Sequence, residues 1–421
     1  MKCINCKNYK LKKIVKIGNQ PISSLFYSKK KTKLKKYPLD LFQCQKCKLV
    51  QLSKLAPLSQ MYGETYGYHT SLSPLMVKHM REKFNFFKKK FGLKKTNNIL
   101  DIGCNDGTFL NFFAKKGFSK LYGIDPSVDK FSKFHDKKIK SVSDFFSEKN
   151  LRKNFSIDNF DLITSFAMFY DIEDPNSFCK DIYSLLKPNG IWVLELSYLP
   201  LLIENLTYDQ ICHEHIAYYD LQVLNNLIEK NGLTIIDVRT NDINGGSIEV
   251  SCSKKKSFFK PNSKKINSYL ENEICLYKKD VYKNLSLRIQ NCEKNLIEFL
   301  NLAKISKKKF YGYGASTKGN IVLNRINANN KLLPYIGDAN TEKHGRYTPG
   351  TNIKILSKKE IRNMNPDYLV VLIWSFRSEV IRQEINYLNK GGKLIFHLPI
   401  LHVIDKYNYK DYLKKDINCL N

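Results

Sequence analysis

The segment TYDQICHEHIAYYDLQVL, residues 207–224, puts three ionisable residues in a row: His213, Glu214 and His215. Tyr208 and Asp209 precede them, and Tyr218 and Tyr219 follow. The chemistry this suggests is proton transfer. An imidazole titrates near neutrality and an adjacent carboxylate can orient it, which makes a positioned general base. The spacing is not that of a zinc protease, whose two histidines lie four apart on one helix face. Residues two apart share a face of an extended segment, so His213 and His215 are expected to point one way and Glu214 the other. The competing reading is a loop of satisfied polar side chains. It would suffice for a single histidine, but three ionisable groups among several tyrosines favour the base.

A second constellation lies near the N-terminus. Cys3-x-x-Cys6 and Cys44-x-x-Cys47 are separated by 37 residues. Each pair can bring two thiolates to one side of a tight knuckle, and two knuckles make a tetrahedral site of four sulfurs. With all four positions filled by sulfur no position is open for reaction, so the expected metal is a structural zinc. Eleven cysteines in 421 residues, with no apolar leader at the N-terminus, do not suggest a disulfide framework.

These groups need a scaffold, and the sequence supplies alternating strand and helix. Ile99–Ile102 reads as a buried strand, 103–107 as a glycine-containing turn and 108–116 as a helix. Residues 121–125 form a second strand ending in an acid, and further strands lie at 160–170 and 190–199. Such alternation builds a parallel sheet that takes ligands at its strand ends. The turn is Asp101-x-Gly103-x-Asn105-Asp106-Gly107. Two carboxylates there would repel a pyrophosphate but suit a ligand carrying an ammonium and a sulfonium. Asp125 can accept both hydroxyls of a ribose. The turn resembles the acidic motif of class I S-adenosylmethionine methyltransferases. That resemblance implies Gly103 at the amino-acid end of the cofactor, Asp106 on its amine, and Asp144 and Phe145 at its adenine. The bland alternative is a Rossmann strand that binds nothing.

A second unit repeats the pattern at 308–326, with Gly312-x-Gly314-Ala315-Ser316-Thr317-Lys318. Ser316 and Lys318 fall at a helix start without an acid beside them, which suits an anionic group. The phosphates of a nucleotide-activated substrate are the preferred occupant. NAD is a rival, since the next strand ends in Asp338 where a ribose would lie. The expected architecture is α/β: a zinc-binding module over 1–65, a Rossmann-like cofactor domain over 66–232 and a second Rossmann-like domain over 233–421.

The formal charge of +31 invites a nucleic-acid reading. However, 61 of the 70 basic residues are Lys and only nine are Arg, spread over every kind of element. Base readers lean on Arg, so the excess speaks for compositional bias and against nucleic acid as a partner. The longest apolar run, Tyr368–Trp374, is too short to span a membrane. A cytoplasmic protein is expected, monomeric or a weak homo-oligomer.

Together these blocks resemble the sugar C-methyltransferase family. The likeness covers nearly the whole chain: the two cysteine pairs, Tyr66-Gly67-Tyr68-His69-Thr70-Ser71, the Asp101–Gly107 turn, Cys212-His213-Glu214-His215, Asn244-Gly245-Gly246-Ser247, Gly312-Tyr313-Gly314-Ala315 and Gly345-Arg346-Tyr347-Thr348-Pro349-Gly350. The resemblance implies S-adenosylmethionine and structural zinc as cofactors. It also implies methylation of carbon beside the 4-keto group of a nucleoside-diphosphate hexose. It makes His215 the base and Glu214 its partner or a sugar contact, and puts His213, Tyr68 and Tyr170 in the catalytic set. Tyr66, Asn244, Ser316, Lys318 and Arg346 become substrate contacts. Cys212 stands where some members carry Tyr, and Tyr170 where some carry His. A zinc-ribbon RNA methyltransferase is the first alternative, but the fourth strand reads Thr164–Met168 and lacks the Asn/Asp-Pro-Pro-aromatic run of exocyclic-amine methylators. A non-catalytic nucleotide-sugar sensor is the second.

Overall fold

The computed structural model describes residues 1–31, 33–61, 67–157, 159–278 and 280–414. Strands Ile99–Ile102 and Leu121–Ile124 are buried along their whole length, as a parallel sheet covered on both faces requires. They belong to a seven-stranded sheet. Five of its strands run parallel, in the order 186–197, 160–166, 99–102, 121–124 and 139–142. The remaining two are the hairpin Leu233–Asn241 and Ser247–Lys254, which adds antiparallel to 186–197. The expected boundary at 232/233 therefore cuts this sheet. Pairing places the hairpin with the cofactor domain and moves the junction past Lys254, because Ile191–Ser197 supplies an open edge that the hairpin covers.

The second unit is a six-stranded sheet. Strands 354–357, 335–338, 310–313, 368–371 and 393–396 run parallel and 402–404 closes one edge antiparallel. In both sheets the strand before the glycine turn is flanked by neighbours on opposite sides, the switch point where α/β sheets open a crevice. The helix Val281–Ile305 connects the two units. One apolar core runs from Val15, Leu39 and Leu41 through Leu199–Tyr218 into the second sheet.

The N-terminal module carries a four-stranded sheet whose last strand is borrowed. Ala217–Tyr218, two residues beyond His215, pairs with Val50–Gln51. Leu52 N also donates to Ile216 O (2.9 Å). The module thus acts as a backing plate for the His-Glu-His segment. It is closed by the four cysteines, whose sulfurs lie within 4.8 Å of one another. Cys3 Sγ is 3.6 Å from Cys47 Sγ, and Cys6 Sγ is 3.5 Å from Cys44 Sγ. Sulfurs tetrahedrally bound to zinc at about 2.3 Å would be about 3.8 Å apart, so the set fits. Each knuckle turns through a lysine in the left-handed region, Lys7 (φ 60°) and Lys48 (φ 64°), whose N–H donates back to Cys3 O and Cys44 O (3.0 Å each). Cys44→Ser should reduce bound zinc from one equivalent to a small fraction by elemental analysis. It should also lower the melting temperature, since the metal contributes folding energy outright. Unchanged zinc content would contradict the assignment.

Candidate active site

The carboxyl ends of the two parallel sheets face each other across one cavity of about 1240 Å³. On the first side the cofactor turn borders it through Asp101, Gly103 and Asn105, with Asp125, Asp144 and Phe145 farther along. Gly103 (φ 75°) and Gly107 (φ 71°) bend the chain where a side chain would be strained, and a Cβ on Gly107 would lie 2.7 Å from His135 Cδ2. Asp125 is held in place, its Oδ2 accepting from Asn105 N (3.1 Å) and its Oδ1 from Ser127 N (2.7 Å). Burial raises Asp101 to about 7 against the opposing hydrogen bond from Thr164. A cation beside it would restore the carboxylate, which fits the ammonium and sulfonium of S-adenosylmethionine.

Two expectations on this side need correction. Asp106 and Gly107 are not on the cavity wall. Asp106 is committed elsewhere: it accepts from Thr108 N (3.1 Å), Thr108 Oγ1 (2.6 Å) and Ser71 N (2.8 Å). It holds the first residue of the helix Thr108–Lys115 and anchors the segment 67–73, which leaves Asp101 as the acid of the turn that faces the cavity. That segment forms a strap. Asn105 Nδ2 donates to Tyr68 O (3.2 Å) and Thr70 N donates to Asn105 Oδ1 (3.1 Å). At its ends, Asn340 Nδ2 of the second unit donates to Gly67 O (3.2 Å) and Ser73 Oγ donates to Glu379 Oε2 (2.9 Å). Tyr68 borders the cavity, and Tyr66 lies outside the described residues.

Glu214 and His215 reach the cavity together, and His213 does not. The expected alternation fails because residues 213–214 form a bend instead of a strand. His213 is buried, its ring edge-on to Tyr37 of the zinc module at 6.2 Å between centroids. His215 packs against the Tyr170 ring at 4.0 Å. Burial, and then the charge of Lys318, push His215 down to about 3, so the imidazole is neutral and proton-accepting at neutral pH. Its Nδ1 and both Glu214 carboxylate oxygens are buried without a hydrogen-bond partner among the described residues.

The second unit closes the far wall with Ser316, Lys318, Asp338, Lys343 and Arg346. Ser316 Oγ accepts from Gly319 N (2.9 Å) as the cap of helix Thr317–Arg325. Asp338 repeats the arrangement of Asp125, accepting from Ala315 N (2.6 Å) and Asn340 N (2.7 Å). Asn244 sits in the left-handed region (φ 59°) ahead of two glycines, and Gly246 (φ 131°) passes where a Cβ would be 2.6 Å from Leu201. Its Oδ1 accepts from Lys318 Nζ (3.2 Å). Trp374 and Asp209 are site residues that the sequence reading missed; Trp374 Nε1 donates to Asp209 Oδ2 at 2.9 Å. Trp374 ends the apolar run Tyr368–Trp374, but the sheet strand itself stops at Val371.

Family models match this chain in three consecutive pieces. "Putative zinc binding domain" covers residues 3–62, "Methyltransferase domain" 76–238 and "C-methyltransferase C-terminal domain" 242–399. C-methyltransferase NovU of Streptomyces niveus is 26% identical over 372 residues, 87% of this chain and 88% of its own. A ubiquinone biosynthesis O-methyltransferase of Histophilus somni is 29% identical over 127 residues, 28% of this chain and 50% of its own. Among solved structures, the plantazolicin methyltransferase BpumL in complex with a pentazolic desmethylPZN analog and SAH is 15% identical. It covers 43% of this chain and 86% of its own, with a TM-score of 0.35.

Fold, site and matches define an S-adenosylmethionine-dependent methyltransferase with a structural zinc module. Within that class the chain is related to C-methyltransferase NovU, and its residues 242–399 match the C-terminal domain of C-methyltransferases. Among the described residues no helix is long and apolar enough to cross a membrane. Asp125→Ala should weaken S-adenosylhomocysteine binding by about 10–100-fold in calorimetry, the worth of charge-assisted hydrogen bonds to a ribose. Unchanged affinity would move the cofactor away from this turn.

Proposed function

We propose that the protein methylates the carbon next to the 4-keto group of a nucleotide-activated deoxysugar. The observation that carries this reading is the shared cavity. The acidic turn, a neutral imidazole and the cationic start of a second Rossmann helix all border it. Bound at Asp101, Gly103, Asn105 and Asp125, S-adenosylmethionine supplies an electrophilic methyl group. The remaining chemistry belongs to the chain. His215 takes the proton on the carbon beside the ketone, and Tyr170 holds the ring by packing against it. Glu214, with both oxygens unpartnered, accepts from sugar hydroxyls. Ser316 and Arg346 lie toward the phosphates, and Asp338 toward the nucleoside ribose. Asp144 and Phe145 flank the cofactor adenine, and Tyr68 covers the site from the strap.

The test is incubation with a ¹³C-methyl donor and a panel of nucleoside-diphosphate 4-keto sugars. The expected product carries the label on carbon next to the former ketone by NMR. Label on oxygen or nitrogen, or on RNA in a parallel incubation, would reject the reading. His215→Ala should keep S-adenosylhomocysteine affinity and lose about 10²–10⁴-fold in kcat, the usual worth of a general base. The low position of His215 also predicts a kcat/KM profile with no acid limb near the ordinary imidazole value of about 6.5. The base becomes protonated only at much lower pH, so a limb centred near 6.5 would contradict the assignment.

A further inference from the structure

Lys318 reads as a phosphate ligand at the start of the helix Thr317–Arg325, but its ammonium is drawn inward to Asn244. That helix packs against the turn Tyr208–Gln210, which leads into the His-Glu-His segment. Lys318 Nζ donates to Asn244 Oδ1 (3.2 Å), its single hydrogen-bond acceptor among the described residues. An ammonium has three donors, so two remain for the cavity that Lys318 borders together with Glu214 and His215. Asn244 is itself fixed, its carbonyl accepting from Gln210 Nε2 (2.8 Å). Asp209 beside it has one oxygen taken by Trp374 Nε1 and the other buried without a hydrogen-bond partner among the described residues. The Lys318 charge acts on both Asp209 and His215, so the three groups form one electrostatic cluster. Burial lowers the Lys318 pKa while Asp209 opposes that shift. The other cations that border the cavity from this unit have acceptors of their own: Lys343 Nζ donates to Ala315 O (2.7 Å), Lys358 Nζ to Gln383 Oε1 (2.7 Å) and Arg346 Nη1 to Phe26 O (3.3 Å).

We propose that Lys318 is a catalytic residue for enolisation, its ammonium holding the carbonyl oxygen while His215 removes the neighbouring proton. The proposal rests on the function inferred above. In the step, the C–H bond breaks and its proton passes to a ring nitrogen of His215. The C–H electron pair becomes the new C=C bond and the carbonyl π pair moves onto oxygen. That oxygen gains a full negative charge, which the Lys318 N–H groups meet. Nothing is oxidised or reduced. A neutral imidazole is a weak base for a ketone C–H, so the step depends on stabilising the oxyanion. A preorganised donor in a water-poor site does this, and removing one such donor typically costs about 10²–10³-fold.

The test separates enolisation from methyl transfer. Full-length protein saturated with S-adenosylhomocysteine is mixed with a dTDP-4-keto-6-deoxyhexose in heavy water, and loss of the proton beside the ketone is followed by NMR. The wild type should exchange it. Lys318→Met should exchange about 10²–10³-fold more slowly, with sugar-nucleotide Kd within about threefold of wild type and S-adenosylhomocysteine affinity unchanged. Lys318→Arg should recover part of the rate. If Lys318→Met loses S-adenosylhomocysteine binding, Lys318→Gln against Lys318→Arg carries the same contrast of charge lost and charge kept. Exchange at the wild-type rate in the neutral variant would overturn the proposal. So would a loss that appears only as weaker sugar-nucleotide binding, which would return Lys318 to the phosphates. A wild type that exchanges no proton from any 4-keto sugar nucleotide would overturn the base-and-enolate reading, and Lys318 with it.

Discussion

Charged groups withdrawn from water must find partners, and in this protein several find them across the seam between its two α/β units. Asp209, from the first unit, is buried and bonded to Trp374 of the second. Lys318, from the second, reaches Asn244 on the hairpin of the first. The strap 67–73 bonds to both sides. A buried charge with its partner removed is costly, so these contacts set one relative placement of the sheets. The placement brings the two switch points together, and the cavity between them follows from it. Behind the site, Lys83 pairs with Glu195 at 2.7 Å and with Glu249, tying the helix Pro74–Lys90 to the sheet.

The two units solve the same local problem with opposite electrostatics. In each, a glycine turn donates a backbone N–H to an acid at the end of the next strand: Asn105 to Asp125 and Ala315 to Asp338. Around the first acid lies Asp101, which suits a cationic donor. Beside the second lie Lys343, its Nζ 3.9 Å from Asp338 Oδ2, and Lys358, which suit an anion. The duplicated frame thus presents opposite charge at its two turns, and the His-Glu-His segment is inserted where the two halves meet. The zinc module, which appears remote in sequence, supports that segment through the borrowed strand Ala217–Tyr218.

Much of this was legible in the sequence because it depends on local rules. The cysteine spacing sets two knuckles, and the acidic glycine turn sets a helix start beside an acid at the end of the next strand. The parts that were not legible depend on what neighbours do. Asp106 reads as a cofactor ligand until Thr108 and Ser71 occupy its oxygens. His213 reads as a partner of His215 until the bend at 213–214 turns it toward Tyr37. The hairpin after residue 232 reads as the start of a new domain, since its strands do not announce which open edge they will cover. Lys318 reads as a phosphate ligand because helix starts commonly bind anions, and only the packing of its helix on residues 208–210 turns it inward.

The central claim is that donor and acceptor meet in this seam with His215 between them. A crystal structure of the protein with S-adenosylhomocysteine and a nucleoside-diphosphate 4-keto sugar tests it most directly. The account predicts the thioether sulfur above the Asp101–Gly107 turn, the nucleotide against Asp338, and a ring nitrogen of His215 within about 3.5 Å of the carbon beside the ketone. A sugar bound in the same crystal with that carbon facing away from His215, or a nucleotide seated outside the seam, would contradict it.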